Sequence, residues 1–153
     1  MLTGNQWLKT GGILSFAVAL LHVVIILVGA SAYRWFGAGE EMATAAESGS
    51  AFPAVLTLFL AVGFAIFGLY ALSGASVIRQ LPLLTIALIL IGTIYTVRGV
   101  AVFHQLFQMS TSAGVASREI AFSSISLVIG LAYLSGTIMS WRRLRTKRNT
   151  AHT

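Results

Sequence analysis

The chain contains no cysteine. That excludes disulfides, thiolate metal sites and cysteine nucleophiles. Charge is scarce too: only 9% of the 153 residues are charged, and four of them are acids. A soluble domain carries about a quarter charged residues, so this chain cannot cover a water-facing surface. There is no Gly-rich phosphate loop, no G-x-S-x-G, no H-E-x-x-H and no pair of acids within an apolar run, which leaves no recognisable catalytic or metal motif.

What is abundant is apolar sequence. Hydrophobic residues make up 57% of the chain and mean hydropathy is +0.88, values of an integral membrane protein. A bilayer core of about 30 Å needs roughly 20 apolar residues per helix. Four segments qualify: 11–32, 51–73, 81–103 and 119–141. Pro53 suits the first turn of the second, and turn-forming sequence separates them all. The segment "GEEMATAAE" predicts a short surface helix after Gly39, with Glu40 and Glu41 in its first turn suiting the helix dipole.

Four spans place both termini on one side. That side carries Lys9, Arg79 and the basic tail 142–153, with Arg142, Arg143, Arg145, Lys147 and Arg148. The other side holds Arg34, Arg118, Arg98 close to its surface, and every acid: Glu40, Glu41, Glu47 and Glu119. The positive-inside rule puts both termini in the cytoplasm. The tail's charges suit anionic lipid headgroups, whereas nucleic-acid recognition needs more than five charges beside a bilayer. "LVGASA" ends in an A-x-A pattern like a signal-peptide cleavage site, but the preceding apolar run is about 20 residues, against roughly 7–15 for a signal core. Retention of the first span is expected.

The spans carry small and hydroxyl residues at a 3.5-residue spacing. The fourth shows Glu119, Ser123, Ser126, Gly130, Tyr133, Thr137 and Ser140, with Leu127, Ile129, Leu131, Leu134 and Ile138 left for lipid. The first shows Gly12, Ser15, Ala19, His22, Ile26, Gly29 and Tyr33, and the second Ala54, Thr57, Ala61, Phe64, Gly68, Ala71 and Ala75. The third shows Thr85, Ile89, Gly92, Thr96 and Gly99. Such residues mark helix contacts, because lipid supplies no hydrophobic drive between helices. The period predicts a left-handed, up-down-up-down four-helix bundle forming a single all-α domain over residues 1–153. Small-residue faces on all four helices suggest self-association or a membrane-protein partner.

Two polar features interrupt the spans. Arg98 lies 17 residues into the third, about 26 Å along it at roughly 1.5 Å per residue, where an arginine can snorkel to the interface. Alternatively it pairs with Glu119, Glu40 or Glu41. With His104, Gln105, Arg34 and Arg118 these residues form an expected outer polar cluster, a clamp rather than a reactive site. His22 sits near mid-membrane and needs a hydrogen bond; Tyr95 or Thr96 of a neighbouring helix is the expected partner. His22 and His104 differ in depth by roughly 18 Å of helix rise and cannot share one haem iron. A haem held between His22 of two protomers is the remaining arrangement, and no cofactor is expected.

The stretches "YRWFGAGEEMATAAESGSAFPA", "GLYALSGASVIRQLPLL" and "YTVRGV" resemble a group of small, uncharacterised four-span inner-membrane proteins of Gram-negative bacteria. The resemblance covers Tyr33 to Val100 and implies a bacterial plasma-membrane location. It brings no catalytic residues and no activity. No span carries the membrane-embedded glutamate of the small multidrug transporters. The residues favour a non-enzymatic accessory or interaction protein. A small-solute or proton-linked transporter using Arg98, Glu119 and His22 is the alternative, and a membrane enzyme with a periplasmic-side site is a third.

Overall fold

A computed structural model describes residues 2–110, 117–141 and 144. The described residues form six helices and no strands: α1 (Gly4–Val28), α2 (Ala30–Trp35), α3 (Glu40–Glu47), α4 (Phe52–Gly74), α5 (Leu84–Ser110) and α6 (Ser117–Met139). Helices α1, α4, α5 and α6 are long and apolar enough to cross a membrane.

The boundaries follow local chemistry. Helix α1 begins at Gly4, seven residues before its apolar run, because Thr3 and Gln6 form a capping box. The Thr3 hydroxyl accepts from the Gln6 N–H at 3.3 Å, and the Gln6 side-chain oxygen accepts from the Thr3 N–H at 2.7 Å. The first span also ends early. Gly29 adopts φ 79°, a conformation open to glycine at little cost. The chain restarts there as α2, a helix that apolar run length alone does not reveal. Gly37 and Gly49, both at positive φ, close α2 and α3 in Schellman-type turns, with Ala38 N–H on the Tyr33 carbonyl and Ser50 N–H on the Ala45 carbonyl. The surface helix expected over "GEEMATAAE" is present as α3.

The chain divides into two compact units: Met1–Ile13 with Leu69–Thr153, and Leu14–Gly68. In the first unit α5 and α6 lie closest. A Cβ added at Gly92 would meet Leu134, and one at Gly99 would strike the backbone of Leu127. Ascending positions on α5 thus meet descending positions on α6. Gly130 takes Thr96 in the same way, and Tyr95 stacks on Tyr133 with ring centroids 5.9 Å apart. The start of α1 joins this unit: Gly4 faces Ser140, Gly11 faces the Tyr133 ring, and Leu8 fits against Gly136. These contacts need hydrogen in place of a side chain, which is how helices approach closely where burial from water contributes nothing.

The inward faces largely match the small-residue spacing. Ser123, Gly130, Tyr133 and Thr137 are buried on α6, as is Ser140 just past its end, and Ser15, Ala19, Thr57, Ala61, Gly68 and Ala71 on α1 and α4. Three corrections stand out. Ile129, assigned to lipid, is fully buried, and Leu127 and Leu134 fill the hollows at Gly99 and Gly92. On α5 the large residues Leu84, Leu88, Ile91, Tyr95 and Val102 form much of the inward face, while Ile89 is exposed. A glycine on one helix calls for a large side chain opposite, so a two-helix contact uses both kinds of residue.

The second unit centres on Ile25, Ala32, Tyr33 and Ala43, with Leu21, Phe36, Met42 and Ala46 packed round them. Phe16 fills the notch at Gly68, and the buried Thr57 hydroxyl donates to the Tyr33 hydroxyl at 3.3 Å. The outward surfaces of the four long helices bear Leu20, Leu27, Phe59, Val62, Ile86, Leu90, Val97, Val128 and Ile138. Soluble monomers rarely expose apolar patches beyond a few hundred Å².

Candidate functional site

The best-defined polar site lies where α2 meets α3. Arg34, in the last turn of α2, receives Glu40 from the first turn of α3 and Glu47 from its last residue. The Arg34 Nη2 and Glu40 Oε1 stand 2.7 Å apart, and Nη1 and Glu47 Oε1 2.6 Å apart. Nε also donates to both Glu40 oxygens at 3.0 Å. One guanidinium thus binds two carboxylates through its planar fork, the geometry in which arginine exceeds lysine. Hydrogen bonding by Arg34 is the main reason that both carboxyls are held below their ordinary value of 4.5, and the pair raises Arg34 in turn. All three side chains remain substantially exposed, so solvent and salt weaken the attraction.

Of the residues expected in one outer cluster, this site brings together Arg34 and Glu40. Glu41, next in sequence, is exposed. Glu47 was missed as a site residue, though a readable signal existed: Glu40 and Glu47 are seven positions apart and therefore share a helix face. Thr44, on the same face, donates weakly to Glu40 at 3.5 Å.

The remaining members lie in the other unit. Arg98 and Glu119 are both exposed, and the ion pairs among the described residues are those of Arg34. The α5–α6 register supplies the reason. With Gly99 against Leu127, Arg98 falls level with the residue after Leu127. Glu119 is then about nine residues, or roughly 13 Å of helix rise, further along α6. Helix α5 continues beyond residue 103 to Ser110, which sets this offset. His104 and Arg118 are exposed. Gln105 is half-buried, and its Oε1 has no hydrogen-bond partner; nor does Ser123 Oγ, on a residue only 1% exposed. Arg142, Arg143, Arg145, Lys147 and Arg148 lie outside the described residues.

His22 is half-buried in the second unit. Its Nδ1 lies 2.8 Å from the Val18 carbonyl, which can only accept, so Nδ1 carries the proton. Its ring meets Phe64 at a centroid distance of 4.9 Å. The bond His22 makes is to the carbonyl one turn back on its own helix, in place of the expected Tyr95 or Thr96. Thr96 likewise donates within its own helix, at the Gly92 carbonyl. Tyr95 is buried against Tyr133. Among the described residues no three His, Asp or Glu side chains are grouped to hold a metal ion.

These features define a class: an all-helical chain with four helices of membrane-crossing length and a small charged helical cap between the first two. No family model, no curated protein and no solved structure matches the chain.

Proposed function

We propose that this protein is a four-span bundle of the bacterial inner membrane with both termini in the cytoplasm, acting as a non-enzymatic accessory or interaction protein. The observation that carries the reading is the division of side chains on the four long helices. Serine, glycine, alanine and tyrosine meet other helices together with selected large residues such as Leu8, Leu88 and Ile129, while most other leucine, isoleucine, valine and phenylalanine side chains of these helices face outward. The opposed register of α5 and α6, and of α1 and α6, supports an up-down-up-down order. Orientation rests on Lys9, Arg79 and the basic tail set against the acids. In this frame the Arg34–Glu40–Glu47 site is a periplasmic structural clamp.

Cysteine accessibility in intact cells tests the topology, since the chain has no cysteine of its own. A membrane-impermeant thiol reagent should label Glu41→Cys and spare Arg79→Cys. The reverse pattern overturns the orientation. Crosslinking in native membranes tests self-association, and a population of monomers alone removes it.

A second reading, a small-solute or proton-linked transporter, is favoured by the buried, unpartnered oxygens of Gln105 and Ser123 within the unit that holds Arg98. On that reading Arg98→Ala abolishes flux in liposomes while the yield of folded protein is unchanged. Equal loss of both identifies Arg98 as structural.

A further inference from the structure

The loop between α4 and α5 has a composition that water does not favour. Val77, Ile78 and Leu83 are all exposed, Leu83 to 74%. Leu83 also adopts φ 52°, a left-handed conformation in which side chains other than glycine, asparagine and aspartate are uncommon. Its carbonyl accepts the first bond of α5, from the Ala87 N–H, which makes it the capping residue. Serine, threonine, aspartate and asparagine are preferred there because their side chains accept a backbone N–H; leucine has no such atom. Backbone conformation, capping and exposure each favour another residue if this position is in water.

The loop is nonetheless well built. Ser76, at φ 59°, closes α4 in a Schellman-type turn, with its own N–H on the Ser73 carbonyl and the Val77 N–H on the Leu72 carbonyl. The buried Ser73 hydroxyl then donates to the Arg79 carbonyl at 3.0 Å and accepts from the Leu81 N–H at 2.9 Å. These bonds fix the backbone on both sides of Arg79, whose side chain is exposed.

Two relationships identify what covers the loop. Leu83 continues an exposed apolar row along α5: Ile86, Leu90, Ile94 and Val97, spaced by three or four residues. This end of the unit also carries Trp7, Lys9 and Trp141, because Leu8 packs beside Gly74 and Gly4 beside Ser140. Tryptophan and basic residues are the side chains that settle at headgroup level.

We propose that the α4–α5 loop lies within the bilayer interface and binds an anionic phospholipid. Val77, Ile78 and Leu83 enter the upper acyl region, and Arg79 takes the headgroup phosphate. The inference rests on the membrane reading above, and extends it from helices to a connection that would otherwise be assigned to water. The occupant is lipid of the same bilayer.

The test uses the full chain, in which any introduced cysteine is unique. Val77→Cys, Leu83→Cys and, as a control on the α5 row, Leu90→Cys are labelled with an environment-sensitive fluorophore. Each is reconstituted in phosphatidylcholine vesicles with and without phosphatidylglycerol. Labels at 77 and 83 should be quenched by lipids spin-labelled near the headgroup, and should resist aqueous iodide. Added phosphatidylglycerol should shift their emission to the blue. Arg79→Gln should lose that shift, and Arg79→Lys should keep it. Iodide quenching at 83, with lipid quenching retained at 90, places the loop in water and overturns the proposal while the membrane reading stands. Shielding from both quenchers at 83 means that protein covers the loop, and overturns it equally. Absence of lipid quenching at 90 removes the membrane reading and the proposal together. Unchanged emission on adding phosphatidylglycerol, or a shift that survives Arg79→Gln, overturns the anionic-lipid assignment.

Discussion

Arg34 and Glu47 stand thirteen positions apart and meet at 2.6 Å, closing α2 onto the far end of α3. Glu40 binds the same guanidinium at the near end of α3. The cap is thus tied at both ends by one cation. Arg34→Ala should release both ends at once, while Glu47→Gln should release only the far one. Spin labels at Ser31→Cys and Glu41→Cys would report this as a broadened distance distribution, wider for the arginine variant.

The same pair sets a pH dependence. Glu40 and Glu47 are held below 4.5 in the folded cap, mainly by hydrogen bonds from Arg34. Their contribution is therefore complete above the ordinary carboxyl range and is lost as pH falls through the lowered folded values. The spin-label distribution should stay narrow at neutral pH and broaden only below about 4.5, earlier at high salt because exposed charges are screened. Broadening near pH 6 would point to another titrating group.

Glycines with opposite surroundings give a paired stability test. A Cβ at Gly99 strikes the Leu127 backbone, whereas one at Gly63 meets nothing within 4 Å. Gly99→Ala forces α5 and α6 apart and should cost about 1–3 kcal/mol, the usual range for overpacking. Gly63→Ala should be neutral or stabilise by about 0.4–1 kcal/mol through the unfolded chain. Reversible unfolding in bicelles distinguishes them.

His22 bonds within its own helix and packs on Phe64. His22→Phe keeps the aromatic contact and loses one side-chain hydrogen bond, worth about 0.5–1.5 kcal/mol. Folding yield should survive, and so should any activity that the histidine supports only structurally. Loss of proton-coupled flux in a folded His22→Phe variant would favour the transporter.

Ser123 buries a hydroxyl without a partner. Ser123→Ala removes that group and should stabilise the α5–α6 contact by about 1–3 kcal/mol, the cost of an unsatisfied buried polar atom. Destabilisation in the same bicelle assay would mean that Ser123 is bonded in the membrane.

Much of the fold is readable in particular residues. Apolar runs reveal four long helices, and Gly39 followed by two glutamates reveals α3. The capping box of Thr3 and Gln6 was equally legible, but counting apolar residues passes over it. What failed was register. The spacing on α6 identified Tyr133 and Thr137 as inward, yet assigned Ile129 to lipid, because one helix's period cannot say what lies opposite. Gly92 and Gly99 draw Leu134 and Leu127 inward, and that complementarity exists only between helices.

By itself the sequence determined that the chain is helical, with four runs long and apolar enough to cross a membrane. In a bilayer, runs of about 20 apolar residues satisfy their backbone groups as helices. Which charges meet was decided by tertiary structure alone. The length of α5 and its glycine register with α6 put Arg98 and Glu119 at different levels, while the bend at Gly29 carries Arg34 to Glu40 and Glu47. A salt bridge needs atoms within about 4 Å, and one helical turn, about 5.4 Å of rise, is enough to make or break it.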